Sequence, residues 1–123
     1  MSSLPEARAE LADALTPLLP GFAIFPDVQP LDDVARPTLA LVRTRVEPLP
    51  AAPRAAWLNT FQLFVIVPSN AGEDALDDAL EAVILALDSI KSGLWTGADR
   101  TVWEDICPAY AVTLTTPTAR TNN

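Results

Sequence analysis

One stretch limits the fold more than any other. It is the run Trp57-Leu-Asn-Thr-Phe-Gln-Leu-Phe-Val-Ile-Val67, with a break at Pro68-Ser-Asn-Ala-Gly72 and a helical segment from Glu73 to Ile90. Side chains of an extended chain alternate between two faces. Trp57, Phe61, Leu63, Val65 and Val67 then share one face, and Leu58, Thr60, Gln62, Phe64 and Ile66 the other. The second half is apolar on both sides, the mark of a central strand or of one covered by a partner. In the helix, Leu76, Leu80, Val83, Ile84 and Leu87 fall in one stripe. Its first turns carry Glu73, Asp74, Asp77, Asp78 and Glu81, which the positive end of the helix dipole favours by about 0.3–1 kcal/mol each. Leu85 points away from the stripe, among Asp74, Asp78, Glu81 and Asp88. It is either an ordinary exposed leucine or a contact residue.

Around this spine the chain reads in order. Ser3 and Glu6 make a capping box, with Pro5 in the first turn, for a helix whose apolar positions are Leu4, Ala7, Leu11, Ala14, Leu15 and Leu18. Pro20-Gly21 ends it, and Phe22-Ala-Ile-Phe25 is a short strand. Residues 26–37 hold Asp27, Asp32 and Asp33 among prolines and match no calcium-loop spacing, so a solvated loop is the plainer reading than a metal site. Thr38–Val46 alternates, with Ala40, Val42, Thr44 and Val46 on one face and Leu39, Leu41, Arg43 and Arg45 on the other. The two arginines are thus expected side by side, either facing solvent or pairing with carboxylates of a neighbouring subunit. Residues 47–56, with three prolines, are either an arm reaching into another chain or a plain surface loop.

Lys91-Ser-Gly93 stops the second helix. A strand broken near Gly97 follows, with Trp95, Val102, Trp103 and Ile106, then a last strand with Tyr110, Val112 and Leu114. The expected class is α+β in the order α-β-β-β-α-β-β: a mixed or antiparallel sheet, two helices packed on one face, and a long Pro-rich β-hairpin loop. One domain is expected over residues 1–116, with a polar, flexible tail over 117–123.

Composition matters mainly for what it excludes. The 123 residues, half of them apolar, are enough to bury one core. A net charge of −8, with eight basic against sixteen acidic residues, argues against tight nucleic-acid binding, which needs cations on phosphates. No histidine exists anywhere, which removes the commonest general base and metal ligand. The single cysteine, Cys107, rules out an internal disulfide and suits a buried thiol. Neighbouring carboxylates such as Asp77/Asp78 or Glu104/Asp105 diverge on a helix or strand instead of converging on a substrate. Arg100 beside Trp103 offers a structural cation–π pair. No catalytic constellation, cofactor fingerprint or metal site is expected, and neither a signal peptide nor a membrane span. A chain made in a cytoplasm is the expectation.

The pattern as a whole resembles the small tail-terminator proteins of long-tailed (siphovirus-like) phages, particularly those infecting actinobacteria. The resemblance runs over residues 4–115. It lies in the helix-first layout, the Arg36-Pro37-Thr38 lead-in, the Ala/Pro loop 47–56 and the run Phe61-Gln-Leu-Phe-Val-Ile-Val-Pro68 before the Asp74-Ala-Leu-Asp-Asp-Ala-Leu80 helix. It ends with Thr101-Val-Trp-Glu-Asp105 and Pro108-Ala-Tyr-Ala-Val112. Head-completion and minor tail proteins of this size share much of it.

The resemblance implies a non-enzymatic virion protein at the head-proximal end of the tail, assembled in the host cytoplasm. It implies a homohexameric ring that caps the tail tube, stops its polymerisation and meets the head-to-tail connector. Arg43, Arg45, Leu49, Arg54 and Leu85 then become candidate subunit or tube contacts. Asp74, Asp77, Asp78 and Glu81 become candidate solvent- or lumen-facing carboxylates, past which DNA slides without specific binding. The other classes in view are another connector or minor tail protein and, further off, a small cytoplasmic enzyme or ligand-binding module.

Overall fold

The computed structural model describes residues 4–25, 36–48, 56–90, 94–103 and 107–119. Among them are α1 (Leu4–Leu15), a 3-10 turn (Thr16–Leu18), β1 (Ala23–Phe25), β2 (Thr38–Pro48), β3 (Ala56–Ile66), α2 (Glu73–Ser89), β4 (Leu94–Trp103) and β5 (Cys107–Ala119). The strands make one mixed sheet in the order β1-β2-β3-β5-β4. β1 runs parallel to β2, and every other pair is antiparallel. The class is α+β, in the element order expected from the sequence.

The doubly apolar run is the central strand. β3 pairs with β5 along its full length on one side and with β2 from Trp57 to Ile66 on the other. Phe61, Leu63 and Val65 are fully buried on one face and Ile66 on the other. Val67, one residue past the strand, is also buried and donates its N–H to the Pro108 carbonyl at 3.4 Å. The main core forms where Leu39, Leu41, Phe61, Leu63, Val65, Val112 and Leu114 meet Leu11 and Leu15 of α1 and Leu76, Val83 and Leu87 of α2. Both helices therefore cover the same face. Burying a Leu, Val or Phe contributes about 1.5–3 kcal/mol, so this layer carries most of the fold's stability. On the opposite face a smaller cluster joins Ala40, Ile66, Cys107 and Ala109 to Phe64 and Trp103. Cys107 is a free, buried thiol, as expected.

Both helices turn somewhat from the expected stripes. In α2 the fully buried line is Leu76, Ala79, Val83, Ala86 and Leu87, with Leu80 and Ile84 half-buried at its margin. Ala79 and Ala86 are thus part of the buried line. In α1, Leu11, Ala12 and Leu15 point inward while Ala14 is exposed. The 3-10 turn then tightens the winding, so Leu19 enters the core and Leu18 faces out. Thr16 anchors that turn by donating its hydroxyl to the Ala12 carbonyl at 2.8 Å. Gly21 at φ +90° reverses the chain toward β1, and Gly72 at φ +90° precedes α2; both need a conformation that side chains resist.

β5 extends three residues into the segment expected as a tail, because β3 presents a partner: Leu58, Trp57 and Ala56 pair with Pro117, Thr118 and Ala119. The Ser3 cap, the loop 49–55 and Glu104/Asp105 lie outside the described residues, as does the Asp27/Asp32/Asp33 loop.

Candidate assembly surfaces

The two arginines expected side by side are on opposite faces. The β2–β3 register slips between Arg43 and Arg45, with Arg43 opposite Phe61 and Arg45 opposite Thr60. Thr44 is the extra residue of a bulge, and one extra residue turns the rest of a strand over. Arg43 stays on the helix-covered face, joined there by Val46, whose partner is Asn59. Arg45 crosses to the face of Val42 and Thr60.

Each arginine is held differently. The Arg43 guanidinium stacks over the Phe61 ring at 4.9 Å and donates from Nε to Asn59 Oδ1 at 3.1 Å. Burial, and then the like charge of Arg8 on α1, lower its pKa from the ordinary arginine value. Asn59 is fully buried and donates in turn from Nδ2 to the Thr116 carbonyl at 3.3 Å, tying β2, β3 and β5 together. Arg43 is therefore built into the sheet. Arg45 is exposed and pairs with Glu47 two residues on, Nε to Oε2 at 3.2 Å. An exposed pair of this kind contributes about 0–1 kcal/mol and exchanges partners readily.

On α2, Asp74, Asp77, Asp78 and Glu81 are all exposed, and Leu85 stands among them 62% exposed. The helix is strapped to β4 at both ends. Arg100 reaches Glu73 with two bonds, Nη1 to Oε2 and Nη2 to Oε1, each 2.7 Å. Trp95 Nε1 donates to Asp88 Oδ1 at 3.0 Å. The bonds to Glu73 are the main cause raising the Arg100 pKa. The expected Arg100–Trp103 stack does not form, because residues three apart on a strand face opposite ways. Arg100 instead lies 6.0 Å from the Tyr110 ring centroid, and Trp103 packs on Phe64 with centroids 5.0 Å apart. The Trp103 indole N–H is buried without an acceptor among the described residues. The Arg100–Glu73 strap leaves no mark in the sequence because its residues lie 27 apart in the chain; for the other strap the i, i+7 spacing of Asp88 and Trp95 is the only hint.

Leu49 and Arg54, the other candidate contacts, lie outside the described residues. Among those described, no three Cys, Asp or Glu side chains gather as a metal site, and no helix is long and apolar enough to cross a membrane. No protein-family model matches the chain, and no curated protein is significantly similar to it in sequence.

Proposed function

We propose that this chain is a structural virion protein of the tail-terminator type: a hexameric ring on the last ring of the tail tube that stops polymerisation and offers a surface to the head connector. One observation carries the reading. The helix-first layout and the acidic helix after the apolar run, two of the features on which the resemblance rests, are in the element order of the fold. Two further features support it. The chemistry-bearing side chains divide between sheet framework (Arg43, Asn59) and exposed surface (Arg45, Arg100, Leu85 and the α2 carboxylates). In a protein of net charge −8 the acidic α2 face suits a lumen that polyanionic DNA must pass without sticking.

The test is to add the purified chain to growing tail tubes and image them by electron microscopy, with native mass spectrometry for stoichiometry. Rings of six at one tube end, with growth halted, are expected. Tubes that lengthen unchanged would contradict the reading. Binding to the connector but never to tubes would move the protein to a connector component.

A further inference from the structure

We infer that copies of this chain join edge to edge, β4 of one copy pairing antiparallel with the outer edge of β2 of the next to extend the sheet across the interface. This deepens the ring proposed above and rests on that reading for its partner, a second copy.

Among the described residues the sheet order leaves two open edges. β4 is terminal there, paired with β5 alone. At the other end β1 covers β2 only at Thr38, Leu39 and Ala40. Past the bulge, Thr44, Arg45 and Val46 are exposed in succession, and no strand among the described residues pairs with them on that side. An uncovered edge presents unpaired N–H and C=O groups and recruits another strand unless lysine, proline or brevity blocks it. β4 is ten residues long and holds neither lysine nor proline, Leu94-Trp-Thr-Gly-Ala-Asp-Arg-Thr-Val-Trp103; its charges are Asp99 and Arg100, and its one register shift, between Trp95 and Gly97, leaves 97–103 as a regular edge. It also displays Leu94, 67% exposed, and Val102, 54% exposed, while Val46 on the β2 edge is 40% exposed. Of the five large hydrophobics exposed among the described residues, three therefore lie on the two open edges.

Polarity fits as well. β2 and β5 run the same way, each being antiparallel to β3, and β4 opposes β5. β4 therefore opposes β2, so a copy brought alongside by simple rotation meets it antiparallel, the more stable pairing. Val102 and Val46 both fall on the helix side of the sheet, so a register placing them opposite each other keeps each face continuous. The contact is heterologous: it uses two different edges, leaves one of each at the ends of any open chain, and closes into a ring when the rotation permits.

Hydrogen–deuterium exchange over a dilution series of the whole chain, with native mass spectrometry alongside, tests this. On association, amides in 100–103 and 45–47 are expected to exchange about tenfold or more slowly than in the monomer. Val102→Lys and Val46→Lys should each abolish association without changing the melting temperature, and V46E combined with V102K should restore it. Rings of six whose β4 amides stay unprotected would overturn edge pairing and leave the ring standing. Open chains with protected edges would uphold the pairing and count against the ring. A chain monomeric at every concentration, with β4 exchanging freely, would overturn the pairing, leaving tube capping as the separate test of function.

Discussion

β3 and β4 are strands of similar length in one sheet, and the sequence builds them for different ends. β3 has a neighbour on each side and fully buried side chains on both faces. β4 has one neighbour, alternates between exposed and half-buried, and carries two large apolar side chains into solvent. Its helix-side residues grip α2 through Arg100 and Trp95. With the edge pairing proposed above, the contrast predicts that stability and assembly are separated in space: substitutions at the centre should unfold the chain, and those at the edge should disperse copies of it.

The sharpest way to break that contrast is at its centre. Leu63→Ala removes a fully buried side chain under both helices and is expected to cost about 2–5 kcal/mol in urea or guanidinium unfolding; a loss well under 1 kcal/mol would show that β3 is not the keystone. Asn59→Ala comes next. It removes the Nδ2 donor to the Thr116 carbonyl and the acceptor for Arg43 Nε, for an expected loss of about 1–3 kcal/mol. At the edge the sign of the argument changes. Leu94→Lys should leave unfolding within about 0.5 kcal/mol of the native chain while weakening self-association in sedimentation. The smallest effect belongs to the strap. Arg100→Gln should barely move the melting temperature, and that small shift should vanish in high salt, since the pair to Glu73 is exposed.

Much of this was legible beforehand because burial leaves a periodic mark. The doubly apolar Leu63–Val67 run announced a central strand, and the α2 stripe announced its covered face. What could not be read were single-residue insertions and long-range pairs. Nothing in Arg43-Thr-Arg45 marks Thr44 as the extra residue, since the alternation continues unbroken on paper; only the register against Phe61 and Thr60 reveals it. Arg43 and Arg45 were therefore expected together and are apart. Leu18 and Leu19 exchanged roles because Pro17 lies in a tighter turn. Glu73 looked like one more solvated carboxylate until β4 brought Arg100 to it. Leu85 stands exposed among Asp74, Asp78 and Glu81, as its spacing implies.

The most direct measurement of the central claim is the length distribution of tail tubes grown with the native chain or with Val102→Lys, both shown to be equally folded. The native chain should cap tubes at a defined length, and V102K, unable to join its neighbours, should let them grow on. Equal capping by both would contradict the division of labour between β3 and β4.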